Sequence, residues 1–339
     1  MTPAISVVVP TWNSEEFIGR SVQSILDQSL DGSLIELVVV DDCSTDRTFA
    51  MLQKLAARFP RIVVERLAKH SRGPGEARNR GVDIATGEWI AFLDADDEYA
   101  DNGLETLLDL AEAAPCEIAT ARLVYVGADG SRMPGDRSRR LLPERLLGIT
   151  AADQPELFYE PLSVFRRLYR RGSLVENAIR SPEGVVAQDT VFVTEALLRA
   201  TRINYDPAVV YRYYTGILRS DPSISDKVDA DYIADWVTTR EMTVRVHERF
   251  GPSYLDIRYN LDLTSGLQRI ARYYSAAAQA ADVTARLDVL RTMRRFLIHH
   301  EHADLKNRSR MERALVLLIA EGLLEEADDL LVSWRQRSD

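Results

Sequence analysis

The sequence predicts an α/β protein in which a doubly wound, Rossmann-like sheet is followed by a C-terminal α-helical region. Two patterns carry this prediction. Over the first ~125 residues, short β-branched runs alternate with amphipathic stretches across short loops, as strands and crossover helices do. From residue 229 onward, apolar residues recur at spacings of three and four, which is typical of packed helices.

The first part of the chain contains four strand patterns. These apolar runs cover residues 5–9, 34–40, 62–64 and 89–93. The stretches between them have the apolar faces of helices. We expect a first helix capped by Asn13, with Glu16 at the capping-box position. Two further helices are expected over 46–58 and 76–85.

The rest of the chain is less regular before it becomes helical. Residues 118–126 are strand-like, and residues 127–140 have the Gly, Asp, Ser and Arg content of a loop. Helices are then predicted over 229–250, 253–279, 283–301 and 309–336, the last of them broken at Gly322.

Composition excludes several classes of protein. The chain has 339 residues, 46% of them hydrophobic and 28% charged, as in ordinary globular proteins, so disorder and a disulfide scaffold are excluded. The sequence has no apolar run of the ~18 residues that a membrane-spanning helix needs. No secretory signal is visible, and a location in the cytoplasm, or at the inner face of the membrane, is expected. The net charge of −10 argues against nucleic acid as a partner.

Acidic residues follow two of the predicted strands. Asp41 and Asp42 come directly after the second strand, and Asp94, Asp96 and Asp97 after the fourth. Ligands of doubly wound sheets bind at the carboxyl ends of the strands. Carboxylates at this edge suit Mg²⁺ or Mn²⁺, which share their coordination with the phosphates of a substrate.

A Gly- and Arg-rich stretch over residues 69–81 lies between the two acidic loops. Glycine lets the backbone approach a ligand, and arginine presents a fork of donors to phosphate oxygens. The stretch starts like a dinucleotide fingerprint, but Arg78 stands where the third glycine belongs, and the sequence has neither a P-loop nor a Gly-x-Ser-x-Gly elbow. Together the loops predict a site for a pyrophosphate and a metal ion.

The ordered motifs of the first 100 residues resemble glycosyltransferase family 2, which has the GT-A fold. They cover residues 9–13 (VPTWN), 40–46 (VDDCSTD), 77–81 (ARNRG) and 85–97 (ATGEWIAFLDADD). The likeness continues more weakly through residues 187–192, 210–214 and 223–225. Within the family, the chain is most similar to wall-teichoic-acid and polysaccharide glycosyltransferases of Gram-positive bacteria.

This resemblance implies a division of the chain and of the site. Residues 1–228 would be the catalytic domain, with a nucleotide-binding half (1–115) and an acceptor half (116–228). Residues 229–339 match no part of the family, and their packed helical faces without a site indicate oligomerisation or acceptor docking instead. Seven residues would contact the donor, namely Pro10 and Thr11 at the base through their backbone, Asp42 at the uracil ring, His70 beside the base, Arg78 at the diphosphate or ribose, Asp94 at the ribose and sugar, and Asp96 at the metal ion.

On the acceptor side, the resemblance makes Asp189 the general base. Gln188 precedes it where the family usually has Glu, and His70 stands where relatives often have Asn. The implied enzyme is an inverting glycosyltransferase that depends on Mn²⁺ or Mg²⁺. Its donor would be a UDP-sugar, with UDP-GlcNAc as the leading example, and its acceptor a hydroxyl of a polysaccharide, a polyol phosphate or a lipid-linked polymer. Peripheral membrane contact and a homo-oligomer are further expectations.

Two other functions stay open on the sequence. A sugar nucleotidyltransferase has a related sheet and acidic metal ligands, but it usually has a Gly-rich basic loop after the first strand, whereas this chain has residues 10–14 (PTWNS). The other alternative is a non-catalytic protein that binds nucleotide sugars, against which only residues 187–189 argue.

Several residues have a structural as well as a functional interpretation. Asp189 fits a helix N-cap as well as a base. Asp41 is expected to stabilise the end of its strand rather than contact a ligand. Trp12 is expected to pack under the first loop rather than on a ligand. Cys43 is expected to be a small buried side chain that fills space in the core. The arginines at 137–145 and 166–171 fit either a solvated face paired with acids or a surface for phosphate-bearing acceptors. His299 and His302 are weak metal candidates.

Overall fold

The computed structural model describes residues 2–134, 142–159, 162–215, 228–276 and 282–335. The chain divides into two compact units. The first comprises Met1–Gly184 and Gln188–Leu218, and the second comprises Val185–Ala187 and Arg219–Asp339.

The first unit is built on a mixed β-sheet. Its described strands are β1 (Ile5–Thr11), β2 (Ile35–Asp41), β3 (Ile62–Arg66), β4 (Trp89–Phe92), β5 (Glu98–Tyr99), β6 (Ile118–Val126), β7 (Arg132–Pro134), β8 (Leu146–Ile149), β9 (Arg167–Arg170) and β10 (Ile203–Tyr214). The order is β3-β2-β1-β4-β9-β6-β10-β5, with β7 beside β6 and β8 beside β10. The four predicted strands are confirmed with boundaries shifted by up to two residues.

Strand direction decides where the loops meet. Strands β3, β2, β1 and β4 are parallel, and β9 is antiparallel to both β4 and β6. Strand β6 therefore runs in the direction of β4, and β10 is parallel to β6. The carboxyl ends of β1, β2, β4, β6 and β10 consequently lie along one edge of the sheet.

Helices flank this sheet. They are α1 (Ile18–Leu26), α2 (Thr48–Arg58), α3 (Gly75–Ile84), α4 (Gly103–Ala113), α5 (Arg171–Glu176) and α6 (Asp189–Arg199). All residues of β1 and β2 are buried, which explains why their sequences are mostly apolar rather than alternating. The buried polar residues Ser6 and Glu36 are hydrogen-bonded to each other. Helix α3 lies so close to β1 that a Cβ at Gly81 would be 2.3 Å from the Val8 side chain.

The predicted cap of the first helix is wrong. Helix α1 begins at Ile18, with Phe17 in the N-cap position and no side-chain cap. Asn13 has φ +46° and lies in the preceding loop. Its amide oxygen accepts a hydrogen bond from the Thr45 backbone N–H at 2.8 Å, so this side chain joins two loops instead of capping a helix.

The described part of the second unit is helical. It contains α7 (Ala230–Phe250), α8 (Leu255–Ala276), α9 (Val283–Leu297), α10 (Arg310–Glu321) and α11 (Leu324–Arg335) around a hydrophobic core of its own. The predicted break at Gly322 is confirmed by its φ of +84°. No helix in the described ranges combines the length and the apolarity that crossing a membrane requires.

Candidate functional site

The loops after β1 and β2 are joined at the carboxyl edge of the sheet. The Asp42 N–H donates to the Thr11 carbonyl at 2.8 Å, and the Asn13 N–H donates to the Ser44 hydroxyl at 2.9 Å. Pro10 and Thr11 are buried. The Thr11 hydroxyl oxygen is also buried and has no hydrogen-bond partner among the described residues. This edge therefore holds an unsatisfied polar atom next to the predicted base-binding backbone.

Asp42 and His70 are brought together, as a shared base site requires. The buried Asp42 carboxylate accepts hydrogen bonds from the Ser71 N–H at 2.7 Å and the Ser71 hydroxyl at 2.9 Å. The His70 Nδ1 atom lies 3.0 Å from the same carboxylate. Two Ser71 donors and one imidazole thus fix the orientation of Asp42.

Trp12 is part of this arrangement. Its ring stacks on the His70 imidazole with a centroid separation of 4.6 Å, and the residue is 42% exposed. The expectation that Trp12 packs under the first loop is therefore wrong. Sequence reasoning missed the pair because residues 12 and 70 meet only through the sheet. The result is a half-exposed aromatic surface beside Asp42.

Asp41 and Cys43 have structural surroundings. Asp41 is fully buried, accepts from the Ser44 N–H at 3.1 Å and lies 3.3 Å from the Arg66 Nε atom, as its structural interpretation predicts. Cys43 is only half-buried and has φ +59°, so the expectation of a buried filler is wrong.

The acidic loop after β4 is a tight turn that α1 holds in place. The Asp97 N–H donates to the Asp94 carbonyl at 3.1 Å. The Ser21 hydroxyl contacts the carbonyls of Ala95 (2.7 Å) and Asp97 (2.6 Å), and the Arg20 guanidinium donates to the Asp96 carbonyl at 2.6 Å. Asp94 and Asp96 remain half-exposed. Both carboxylates are thus accessible at a turn whose backbone is fixed.

The third acid of this loop faces inward. Asp97 accepts a hydrogen bond from the Tyr211 hydroxyl at 3.0 Å and from the Tyr214 N–H at 2.8 Å. Burial, with the neighbouring charge of Asp94, raises the pKa of the Asp97 carboxyl well above its usual range. The Tyr211 hydroxyl also accepts from the Asp94 N–H at 3.1 Å. Sequence reasoning missed Tyr211, whose only signal was its place in the 210–214 motif.

Arg78 links the residues predicted for the donor side of the site to the one predicted for the acceptor side. The residue is 2% exposed, and its guanidinium donates to Asp94 at 2.7 Å and to Asp189 at 2.5 Å. Burial alone would lower the pKa of this guanidinium, but the charges of Asp189 and Asp94 and their hydrogen bonds outweigh burial, so its pKa is raised. A permanent cation therefore lies between the two predicted functional carboxylates.

Asp189 is the first residue of α6. Gln188 occupies the N-cap position, so the N-cap interpretation of Asp189 is wrong. The second Asp189 carboxylate oxygen lies 3.4 Å from the Val164 N–H, and Ala187 has φ +58° in the turn that leads into the helix. The side chain is held by Arg78 and partly exposed to solvent.

The arginines at 137–145 and 166–171 do not all have the same surroundings. Arg166 and Arg167 are 0% and 1% exposed, so neither the solvated face nor the acceptor surface describes them. They donate to the backbone carbonyls of Ala121 and Ser163, respectively. Arg145 and Arg170 pair with Asp206 (3.7 Å) and Glu88 (2.9 Å), as the solvated-face alternative predicts. Arg137, Arg139, Arg140 and the 223–225 motif lie outside the described residues.

The carboxylates of the acidic turn suit a divalent cation whose coordination is completed by a substrate. Among the described residues, no group of three or more His, Cys, Asp and Glu side chains could hold a metal ion. Asp96, with Asp94 in the same turn, offers the one or two carboxylates that Mg²⁺ or Mn²⁺ uses when phosphates complete its coordination. His299 and His302, the other metal-ligand candidates, are not supported in the same way, since His302 pairs with Asp256 at 2.6 Å.

Comparison with known proteins identifies the class. The mixed sheet, with acidic residues at the carboxyl ends of its parallel strands, has the architecture of the GT-A fold. Residues 6–174 match the sequence model described as "Glycosyl transferase family 2". The chain is 32% identical over 253 residues to the succinoglycan biosynthesis protein ExoO of Rhizobium meliloti, covering 72% of this chain and 68% of ExoO. The chain therefore belongs to glycosyltransferase family 2.

Other relatives share only part of their length with this chain. It is 29% identical to the uncharacterized glycosyltransferase YibD of Escherichia coli, covering 63% of this chain and 62% of YibD. It is 34% identical to the poly(ribitol-phosphate) beta-N-acetylglucosaminyltransferase TarS of Staphylococcus aureus, covering 62% of this chain and 35% of TarS. The chain thus spans about a third of TarS and under two thirds of YibD.

Solved structures agree with the fold. S. aureus TarS 1–349 in complex with UDP-GlcNAc has a TM-score of 0.73 at 22% identity and covers 98% of this chain and 91% of that chain. The mannosyltransferase PcManGT of Pyrobaculum calidifontis, in complex with GDP-Man and Mn²⁺, has a TM-score of 0.55 at 19% identity, covering 97% and 88% of the two chains. At these identities the likeness shows the fold alone.

Proposed function

We propose that this glycosyltransferase moves a sugar from a UDP-sugar, first of all UDP-GlcNAc, to a hydroxyl of a cell-envelope polymer or exported polysaccharide, with inversion at the anomeric carbon. The observation that carries the proposal is the Arg78 bridge between Asp94 and Asp189. This bridge supports the proposal because Asp94, the proposed donor-side carboxylate, and Asp189, the proposed base, contact the same guanidinium.

The donor half of the proposal uses the base surface and the acidic turn. The uracil would lie against the backbone of Pro10 and Thr11 and the Asp42–His70 pair, with the diphosphate towards Asp94 and Asp96. Trp12 enlarges the apolar surface available to the base, since it stacks on His70. The orphan Thr11 hydroxyl is a further polar group that a nucleotide would satisfy.

Asp96 would hold Mn²⁺ or Mg²⁺, with Asp94 beside it. When bound, such a cation acts as a Lewis acid that stabilises the negative charge of a departing diphosphate. The protein supplies the fixed turn that presents these carboxylates, because Ser21 and Arg20 bind the carbonyls of the turn. A pre-organised site of this kind needs little rearrangement during the reaction.

Asp189 would accept the proton of the acceptor hydroxyl. That hydroxyl is a weak nucleophile until a carboxylate within hydrogen-bond reach removes its proton. Arg78 and the Val164 N–H hold the Asp189 carboxylate from two sides and so fix its orientation. One base and one displacement, without a covalent intermediate, give inversion.

The names of the relatives support the substrate classes. TarS is named a poly(ribitol-phosphate) beta-N-acetylglucosaminyltransferase and ExoO a succinoglycan biosynthesis protein, so both concern polymers. A TarS structure holds UDP-GlcNAc, and PcManGT holds GDP-Man with Mn²⁺. We further propose that the reaction takes place at the cytoplasmic side, and that the helical unit serves oligomerisation or acceptor docking.

A panel of UDP-sugars tests the proposal. With Mn²⁺ present, the wild-type chain should hydrolyse one of the donors slowly. It should consume the same donor faster when an acceptor is added, because the sugar is then transferred to the acceptor. Asp189→Asn should bind that donor as the wild type does and lose turnover. If every UDP-sugar binds and none is turned over, the chain is the non-catalytic binding protein. Asp189→Asn with wild-type turnover would exclude Asp189 as the base.

A further inference from the structure

Three side chains form an exposed row across neighbouring strands of the first unit. Tyr125 of β6 is in register with Met133 of β7 and with Tyr213 of β10. Residues directly opposite each other in adjacent strands project from the same face of a sheet. Met133 is 56% exposed, and both tyrosines are half-buried. We call Met133, Tyr125 and Tyr213 the aromatic row.

The aromatic row lies at the edge of the sheet that carries the candidate site. Tyr125 and Tyr213 are each the last residue but one of their strands, and the carboxyl ends of β6 and β10 lie on the edge that also carries the end of β4. The two tyrosine rings meet edge to face with centroids 5.4 Å apart. The row therefore starts at the loops that hold the functional carboxylates.

Phe165 connects the row to both sides of the site. Its ring stacks flat on Tyr211, with centroids 4.4 Å apart, and lies 5.6 Å from the Tyr213 ring. The Tyr211 hydroxyl contacts the Asp94 backbone N–H and the Asp97 carboxylate. The residue before Phe165, Val164, directs its N–H at Asp189. A series of ring contacts, in which Phe165 and Tyr211 are buried, thus connects the acidic turn and the proposed base to the partly exposed Tyr213 and Tyr125.

The pKa of the Tyr213 hydroxyl agrees with this arrangement. Burial is the main cause of its raised pKa, and the negative charges of Asp97, Asp94 and Asp189 raise it further. The link from Tyr213 to the site itself is geometric, since its ring lies 5.6 Å from Phe165, the neighbour of Val164.

We propose that the aromatic row is an acceptor subsite that binds the ring of a cyclic sugar. The inference rests on the proposed function, which needs an acceptor hydroxyl at Asp189. The row has no charged member, so it suits the C–H face of a pyranose better than a phosphate. Aromatic rings give large, rigid contact areas to such faces, and the tyrosine hydroxyls supply the polar contacts that orient a ligand.

Binding of simple glycosides tests this subsite. Methyl β-D-glucopyranoside and its 2-acetamido-2-deoxy analogue are titrated into the full chain with UDP and Mn²⁺, and binding is followed by saturation-transfer NMR. Tyr125→Ala should weaken binding about three- to tenfold, the range expected for loss of one aromatic contact. Tyr125→Phe keeps the ring and loses only the hydroxyl contact, so it should bind more tightly than Tyr125→Ala. Val209→Ala removes an exposed side chain (46%) elsewhere on β10 and is the matched control.

Each result of this experiment supports or overturns the subsite. Absence of glycoside binding to the wild type, or equal binding by Tyr125→Ala, overturns it. A Tyr125→Ala variant that binds UDP-GlcNAc more weakly, with unchanged glycoside binding, would assign the row to the donor sugar instead. Linear ribitol 5-phosphate is also tested as a competitor of the bound glycosides. If it binds this subsite more tightly than either glycoside does, the preference for a cyclic sugar is overturned. If Tyr125→Ala does not fold, Met133→Ala at the exposed end of the row answers the same question.

The subsite and the proposed function fail in different ways. If the wild type turns over no UDP-sugar while glycoside binding depends on Tyr125, the proposed function is wrong and the subsite stands. If turnover depends on Asp189 while Tyr125→Ala binds glycosides normally, the subsite is wrong and the function stands. Asp189→Asn should leave glycoside binding within about twofold of the wild type, since ring contacts dominate that binding.

Discussion

At the scale of single residues, Arg78 determines how the site is arranged. Its sequence position predicted a contact with the diphosphate or the ribose, whereas the structure shows two carboxylate partners, Asp94 and Asp189. Removing one partner of a buried ion pair is costly because the remaining charges lose their compensation. We therefore propose that Arg78 positions Asp189 and remains a candidate contact of the donor.

Substitutions of Arg78 test this positioning role. Arg78→Gln should lower kcat by about a hundredfold, since misplacement of a reacting group costs on that order. Arg78→Lys keeps the charge but loses the fork, so it should recover part of the lost rate. Arg80→Gln, on the same helix, removes only an exposed pair with Glu65 and serves as the control. Steady-state kinetics on folded variants measure this, and an unchanged kcat for Arg78→Gln would contradict the role.

The sequence singled out candidate residues for the site but did not predict how they contact one another. The motifs named Asp42, His70, Asp94, Asp96 and Asp189, and the structure groups His70 with Asp42 and links Asp94 to Asp189. The residues that contact one another in the site are far apart in the sequence. Arg78 and Asp189 are 111 residues apart, and no local pattern encodes such a contact. The burial of Arg166 and Arg167 was missed for a different reason, because their acceptors are backbone carbonyls, which every residue carries and no sequence pattern marks.

At the scale of elements, strands were easier to predict than helix starts. A strand that is buried on both faces is continuously apolar, so β1, β2 and β4 were evident from sequence. Helix α1 was placed too early because Asn13 and Glu16 imitate a capping box, while Asn13 is used by the neighbouring loop. A cap motif shows which contacts a side chain can make, and tertiary structure decides which one forms.

The packing of α3 on β1 gives a prediction at this scale. A Cβ at Gly81 would lie 2.3 Å from the Val8 Cγ1 atom, so Gly81→Ala forces the helix or the strand to move. We expect a loss of about 1–3 kcal/mol in the free energy of unfolding, as for other overpacked cores. Gly19 in α1 has no atom within 4 Å of an added Cβ, and Gly19→Ala should stabilise the chain by about 0.4–1 kcal/mol.

Denaturant unfolding of the two glycine variants measures both effects. Since α3 carries Arg78, the Gly81 variant should also lose activity, whereas the Gly19 variant should keep it. A Gly81→Ala protein that is as stable as the wild type would contradict the close packing of α3 on β1.

At the scale of the whole molecule, the helical unit has a hydrophobic core of its own, and this unit also contains a buried histidine. Buried His247 in the helical unit bonds through Nδ1 to the Gly251 carbonyl at 3.2 Å. A carbonyl can only accept, so Nδ1 carries the proton. Burial lowers the pKa of His247 to about 4 from 6.5, which keeps its imidazole neutral in the folded state at neutral pH.

This histidine predicts acid sensitivity of the helical unit. Between pH 6.5 and about 4 the unfolded state binds a proton that the folded state does not, so stability falls as the pH is lowered through this range. The full difference corresponds to about 3 kcal/mol. His247→Gln should flatten the pH dependence of unfolding over this window. Equal slopes for His247→Gln and the wild type would contradict the assignment.

The central claim is that a nucleotide diphosphate and a divalent cation meet at Asp96, and calorimetric titration of UDP tests it most directly. The wild-type chain should bind UDP more tightly with Mn²⁺ than without it. Asp96→Asn should weaken Mn²⁺-dependent binding at least about tenfold, or ~1.4 kcal/mol, and leave metal-free binding unchanged. UDP binding by Asp96→Asn with wild-type affinity and wild-type Mn²⁺ dependence would contradict the account.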